Sequence, residues 1–582
     1  MSFEASAIAV PERAAARSGE RERTATFVAL GLITALAIVL RFALFAKVQA
    51  NPFYDAAVRS MGQSWHNFFF GAYEPGGQVA IDKTPVDLWL QVASTKLFGF
   101  SSTALRLPEA IAGTLAVPLL FDTVRRIFGR PAGLASAAVL AVLPVAVLTA
   151  RSDTMDSLMM LLLVAAGAVH GLAFNVKLFE ALIAVPALVA LALLAGELPL
   201  RRRLAQLAGA GVAFAGVGLS WVTAASLLPG RHPWPIGSTN GGVWNVLFVF
   251  NGVDRVQVRP TPALAALDPA GPARLFSLHG AQHGLLIGST LIAALLVGVA
   301  ALAEATPRLL ARRATLRGRL QRAGVVWIAV WLGAGVVLFS EMGRLHSRYL
   351  EAMTPAIAAA AGVGVTALAS RSRRHALPAL LLIVAAAVSA AIALHISAAP
   401  PAAVIIAVAG IAIAATGLAV RRSPRRLATA PALLAVGALV AVLAAPTAGA
   451  IHVVRQGSSN SGRPGAMPAA TLGPLSRYLR AHQGGARYEV ASSAVAKAGP
   501  LIARDGRPVL MLTSLYDRPL LTPAQLSSHV RRGDVRYVLL GSGTCSRRCP
   551  GVVRWAMTHA RDVSRQAGLA HPGLLYRFTG AR

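Results

Sequence analysis

Long apolar runs, broken by short basic turns, dominate the chain; Ala25–Leu40, Leu285–Leu302 and Ala430–Ala445 are examples. A helix needs ~20 residues to span the ~30 Å hydrocarbon core of a bilayer. Lipid offers the backbone no hydrogen-bond partners, so helices are the expected spanning element. The runs do not alternate over ten-residue segments as a membrane barrel would. They predict an α-helical polytopic membrane protein of about 11–13 crossings. Helices are expected at about 24–45, 103–124, 132–150, 204–228, 284–303, 324–341, 352–369, 377–397, 402–420 and 429–449.

Beyond about residue 452 the pattern changes. "RYEVASS", "RPVLMLT" and "VRYVLLGSG" read as short strands, and "TPAQLSSHVRRG" as a helix with a Thr-Pro start. Strands mixed with helical pieces predict a small α/β domain, and "SSNSGRPGAMP" reads as the linker before it. The expected organisation is a tail at 1–24, a transmembrane domain at 25–450 with a first external loop at 47–101, and the α/β domain at 451–582.

Composition sharpens this picture. The chain of 582 residues is 55% hydrophobic and 14% charged, with a net charge of +32. That charge does not mark a nucleic-acid binder, because its arginines sit in turns between apolar runs: Arg125/Arg126, Arg201–Arg203, Arg308–Arg322, Arg371–Arg374 and Arg421–Arg426. Basic turns mark the cytoplasmic side. The expected location is the plasma membrane, with an uncleaved cytoplasmic N-terminus and an extracytoplasmic C-terminal domain. One interval breaks the alternation. Residue 154 belongs outside and Arg201 inside, yet two apolar segments, about 155–175 and 178–196, lie between them. Either one segment does not span, or the topology departs from the rule here.

Cys545 and Cys549, in "GTCSRRCPG", are left open between a disulfide and two thiols. His279 and His283 stand one helical turn apart without an evident third ligand. No metal site is assigned and no cofactor is called for, although a divalent metal is left open.

Ionisable residues in a membrane protein are usually functional. On the outward side Asp55, Glu74, Asp82, Asp87, Asp153 and Asp156 gather with Lys83 and Arg151. Carboxylates can take a proton from an acceptor hydroxyl, and a cation can neutralise a phosphate leaving group.

The stretches "FYDAAVRSMGQSWHNFFFGAYEPGG", "VAIDKTPVDLWLQ", "ARSDTMDSLMMLLLV", "GLAFNVKLFEA" and "LHSRYLEAMTPAIAAAAG" give this pattern a family. Across about residues 25–370 the chain resembles bacterial glycosyltransferase family 39. These are membrane enzymes of the type C glycosyltransferase fold, related to protein O-mannosyltransferases and lipid A aminoarabinose transferases. The C-terminal external domain resembles that of actinobacterial members.

The resemblance implies an inverting transfer of a hexose or pentose, mannose or a relative. The donor would be a polyprenyl-phosphate sugar and the acceptor a protein, polysaccharide or lipid on the external face. It implies Lys83 at the donor phosphate with Arg151, His346 and Tyr349. Asp55 is the expected base, with Asp82 in reserve. Tyr54, Arg59, Asp153 and Asp156 are expected to bind substrate. Three departures from the family stand out: Asp55 follows the loop tyrosine, Thr84-Pro85 replaces Pro-Pro, and about twenty residues are missing before "GLAFNVK", removing roughly one crossing. The alternatives are a transporter or flippase of lipid-linked sugars and an inactive scaffold. Acids in external loops, without an internal repeat, favour the enzyme.

Overall fold

The computed structural model describes residues 9–165, 169–230, 232–257, 269–277, 282–309, 315–343, 345–423, 427–459, 467–540 and 549–580. Among them, nine helical stretches are long and apolar enough to cross a membrane, and two bent helix pairs raise the number to eleven. Among the described residues the count is thus nine to eleven, and only eleven reaches the expected range.

The first helix, α1, is Ala9–Phe42. The loop that follows carries α2 (Pro52–Met61), α3 (Trp65–Phe70), the two-residue strand β1 (Val79–Ala80) and α4 (Val86–Phe98). Crossing resumes with α5 (Ser102–Phe128). The first bent pair is α6 (Arg130–Val142) and α7 (Pro144–Ala150), which turn by 62°. Pro144 explains the break: it donates no backbone hydrogen bond and pushes the preceding residue out of the helical region, and Leu143 has ψ 118°.

The awkward interval resolves here. Helix α8 (Asp156–Ala165) has ten residues, about 15 Å, half the thickness of a hydrocarbon core. Helix α9 (Val169–Lys177) follows. Asp156 opens α8, Lys177 closes α9, and their side chains form an ion pair. The two helices therefore fold back on each other as a half-depth hairpin. A 3-10 stretch, Leu178–Ala184, and α10 (Val185–Ala195) then carry the chain to the other end of the bundle. Seven residues at ~2.0 Å and eleven at ~1.5 Å give about 30 Å, one crossing. One of the two apolar segments does not span.

The second bent pair is α11 (Leu200–Gly218) and α12 (Ser220–Leu227). Strand β2 (Trp234–Pro235) pairs in parallel with β1 and ties the second long loop to the first. The remaining long helices are Ser289–Leu309, Leu316–Glu341, Thr354–Arg371, Ala376–Ile396, Pro401–Val420 and Ala430–Gln456. Small residues let the last two approach closely. Gly437 lies against the Ala414 backbone with no room for a Cβ.

The C-terminal domain is the expected small α/β unit. Its five strands, β3 (Val490–Ser492), β4 (Val509–Met511), β5 (Tyr537–Leu539), β6 (Ala560–Asp562) and β7 (Leu575–Phe578), are ordered β4-β3-β5-β7-β6. The β4-β3-β5 part is parallel, and β7 pairs antiparallel with both β5 and β6. The domain is docked on the first loop. Gln78 donates to the Met511 carbonyl at 3.0 Å and accepts from the Met511 N–H at 2.8 Å. The Tyr73 hydroxyl donates to the Val495 carbonyl at 2.9 Å. Cys545 and His279 lie outside the described residues, so neither the disulfide nor the histidine pair is placed.

Candidate active site

The stretch around "AIDKTP" is held by its neighbours. Burial pushes the Glu74 carboxyl up to about 7, against the backbone N–H groups of Gly76 and Gln78, which it accepts. That chelation shapes the turn before β1. Thr84 donates through its hydroxyl to the Asn175 carbonyl on α9, and Asn251 donates to the Asp82 carbonyl. Pro85 then begins α4. Lys83 is thereby fixed on the wall of a cavity of about 580 Å³, with Asp82 beside it.

Four cations gather at this cavity: Lys83, Lys177 and Arg255 on its wall, with Arg348 beside them. The Lys83 ammonium donates to the Tyr54 hydroxyl at 2.9 Å and lies 3.8 Å from Asp82. Burial opposes its charge, but Asp82 and Tyr54 hold its pKa above the ordinary lysine value. Arg255 reaches Asp82 at 3.7 Å, and Lys177 reaches Glu180 at 3.2 Å besides Asp156. Lys177 and Arg348 both lie over the Tyr349 ring, at 5.4 and 5.5 Å from its centroid. Glu180, Asn251 and Tyr349 also line it, and most of the remaining wall is apolar, including Phe248, Val253, Leu338, Phe339 and Met342. A cavity with clustered cations and a mostly oily remainder fits an anion attached to a hydrocarbon chain.

A pair of carboxyl groups borders this cluster. Tyr54 and Asp55 are neighbours on α2, so their side chains point about 100° apart. Tyr54 turns to Lys83, while Asp55 turns to Asp153. Asn51 starts α2, accepting the Phe53 N–H at 3.3 Å, and donates to Asp153 at 3.3 Å. Burial, then the nearby Asp153, push the Asp55 carboxyl well above the usual carboxylate range, and Arg106 opposes the shift. Burial raises Asp153 as well. Two carboxyl groups this close do not both ionise readily. A second pair, Asp87 with Glu109, lies behind it. Gln91 donates to Asp87 at 3.1 Å and to the Asp153 carbonyl at 3.2 Å, linking the two pairs. Burial pushes Asp87 up to about 6.

Tyr54, Asp82, Lys83 and Tyr349 are thus brought together, with Asp55 and Asp153 alongside and Asp156 held by Lys177. His346 packs against the Tyr349 ring at 5.2 Å. Two expected residues are not brought in. Arg151 is fully buried and donates to the carbonyls of Leu40, Arg41, Ala43 and Leu44, clasping the end of α1. Arg59 stacks on Phe100 at 4.6 Å and faces Gly506 of the C-terminal domain. The sequence reading missed Lys177, Arg255 and Arg348 as members of the cluster. Lys177 and Arg348 stand inside the "GLAFNVK" and "HSRY" stretches, a signal that was available; Arg255 had none. Among the described residues no group of three His, Cys, Asp or Glu side chains is set to hold a metal ion.

The fold and this site define a class. Residues 82–166 match the family model described as dolichyl-phosphate-mannose-protein mannosyltransferase, and residues 475–559 match the one described as "Putative mannosyltransferase YkcB-like, C-terminal". Together they bear out the resemblance to a family-39-like membrane glycosyltransferase. Two Bacillus subtilis proteins are similar in sequence. "Putative mannosyltransferase YycA" is 32% identical over 245 residues, covering 39% of this chain and 36% of the relative. "Putative mannosyltransferase YkcB" is 29% identical over 257 residues, covering 41% and 36%. The matched stretch thus spans little more than a third of either relative.

Among solved structures, ArnT from Cupriavidus metallidurans bound to undecaprenyl phosphate aligns with a TM-score of 0.52 at 18% identity, covering 94% of this chain and 97% of that one. The oligosaccharyltransferase of Archaeoglobus fulgidus, in its apo form, aligns at 0.51 and 14% identity, covering 92% and 73%. These likenesses establish the type C glycosyltransferase fold.

Proposed function

We propose that this protein is a membrane glycosyltransferase that moves a sugar, mannose or a relative, from a polyprenyl-phosphate donor to an acceptor hydroxyl on the external face. The observation that carries the reading is the cavity with Lys83, Lys177 and Arg255 on its wall, Arg348 beside them, and apolar side chains along most of the rest. The cations take the phosphate and the apolar wall takes the start of the prenyl chain. Support comes from the fold, shared with a protein solved with undecaprenyl phosphate bound.

In the proposed reaction the acceptor oxygen bonds to the anomeric carbon as the bond from that carbon to the phosphate oxygen breaks. Asp55, in its ionised form, receives the acceptor's proton, and the four cations stabilise the charge that grows on the departing polyprenyl phosphate. A single displacement inverts the anomeric centre. Asp82 is less suited as the base because it sits among the cations that take the phosphate, paired with Lys83 and Arg255. Asp153 tunes Asp55, and Tyr54 and Tyr349 frame the phosphate. The test is transfer by purified protein from a panel of labelled polyprenyl-phosphate sugars. No transfer from any of them, to protein, polysaccharide or lipid acceptors, would overturn the proposal.

A further inference from the structure

The opposite end of the bundle carries a second cavity that this reaction does not use. It measures about 210 Å³ and is lined by Glu304, Ser370, Arg371, Arg374 and His375. Three elements build it: the end of Ser289–Leu309, the end of Thr354–Arg371 and the start of Ala376–Ile396. Its place is fixed by the middle helix. Thr354–Arg371 starts just after Tyr349, and its 18 residues run about 27 Å to Arg371, close to one hydrocarbon core. The cavity therefore lies at headgroup depth on the other side.

Its chemistry is that of a phosphate site. Two guanidinium groups and an imidazole meet at the N-terminus of a 21-residue helix. His375 is the cap residue there, and its side chain makes no capping hydrogen bond; Pro378 carries no N–H, so the first turn offers the N–H groups of Ala376 and Leu377. Such a terminus favours an anion. Arg371 is positioned from behind by donating to the Ala301 carbonyl at 3.4 Å, and the neighbouring Arg421 donates to the Ser372 carbonyl at 2.9 Å, pinning the turn. Glu304 gives the wall one acceptor, which suits a ligand bearing hydroxyl or amine donors beside its phosphate. The volume is below the ~300–1,000 Å³ of pockets that enclose a drug-sized molecule, so it fits a headgroup and leaves the acyl chains to the lipid.

We infer that this cavity binds the phosphate headgroup of an anionic phospholipid, holding the phosphate between Arg371, Arg374 and the start of Ala376–Ile396. Nothing in this inference depends on the proposed transfer reaction.

The test is lipid retention by full-length protein, measured by mass spectrometry after purification from nanodiscs containing phosphatidylglycerol in phosphatidylcholine. The expected result is retained phosphatidylglycerol, weakened roughly 10-fold or more in the R371Q/R374Q double variant, from the ~1.5 kcal/mol or more lost with a hydrogen bond to a charged group. Arg373 and Arg374 are both exposed, but only Arg374 lines the cavity, so R373Q removes the same charge as R374Q outside the site and should change nothing. If R373Q weakens retention as much as R374Q, the effect is diffuse surface charge and the site is overturned. Inorganic phosphate, added to protein in phosphatidylcholine alone, separates a free anion from a headgroup. Saturable binding that R371Q/R374Q abolishes, without retained phosphatidylglycerol, would overturn the lipid assignment. Folding of the variants is checked by their thermal transitions, which should match that of the unaltered protein.

Discussion

Replacing Lys83 by alanine removes one of the four cations from the proposed phosphate site. The ammonium is buried and makes two contacts, with the Tyr54 hydroxyl at 2.9 Å and Asp82 at 3.8 Å. Structural damage should be small. Asp82 keeps Arg255 at 3.7 Å, and the loss of one hydrogen bond to Tyr54 costs about 1 kcal/mol. The functional loss should be larger. A hydrogen bond to a charged group is worth ~1.5–3 kcal/mol in the ground state, so binding of the lipid phosphate should weaken roughly 10–150-fold. Charge grows on the leaving phosphate, so the transition state should lose more, ~2.7–4 kcal/mol or ~10²–10³ in kcat/KM. The difference leaves ~1 kcal/mol, about fivefold, for kcat itself. Lys83→Arg should recover part of the loss, because charge is kept while the compact ammonium geometry is not. The assay is transfer per mole of inserted protein, alongside binding of polyprenyl phosphate without sugar. Near-normal kcat/KM in Lys83→Ala would refute the reasoning, leaving Lys83 an interfacial anchor.

Three further outcomes follow from the same contacts. Asp55 is the proposed base and its pKa is raised by burial and then by Asp153, so activity should rise with pH as Asp55 ionises. Asp153→Asn removes that neighbouring charge and should move this rise to lower pH; an unmoved profile would uncouple the pair. Lys177→Met leaves Asp156 and Glu180 without their buried cation and should destabilise the protein by ~3–5 kcal/mol, seen as a lowered Tm, while the double variant with Asp156→Asn recovers part of it. In the C-terminal domain, burial and then Asp505 raise Glu489 to about 8. Its folded pKa exceeds its unfolded value, so the contribution is full at low pH and is lost as pH rises toward about 8. Denaturant unfolding of the full chain should show this loss, and Glu489→Gln should flatten it.

The bundle was legible because its signal is length: an apolar run near twenty residues has few alternatives. The α/β domain was legible from strand-like pieces alternating with a capped helix. Thr522 indeed caps Pro523–Arg531, sharing a reciprocal capping box with Gln525. The interval 155–200 was not legible, because nothing in the sequence decides which of two equally apolar segments fails to span. Only the Asp156–Lys177 contact reveals that α8 and α9 fold back at half depth. For the site, the motif residues Lys83 and Tyr349 both line the cavity. Arg151 was expected at the donor phosphate because it lies among the outward acids. The turn after α7 instead aims it at carbonyls of α1. Arg255 comes from a loop without motif, and only the contact of β1 with β2 and the Asn251 bond to Asp82 bring that loop to the cavity. The position of Asp55 after Tyr54 became intelligible only on a helix, where successive side chains diverge and each finds its own partner.

The central claim is that Asp55 and the cation cluster act together to move a sugar from a polyprenyl phosphate. It is tested most directly by single-turnover transfer from labelled polyprenyl-phosphate mannose, by purified protein in lipid, for the unaltered chain and Asp55→Asn. Lipid-phosphate binding is measured on the same samples. The account predicts transfer by the unaltered chain, and in Asp55→Asn unchanged phosphate binding with transfer lost. Full transfer by Asp55→Asn would contradict it.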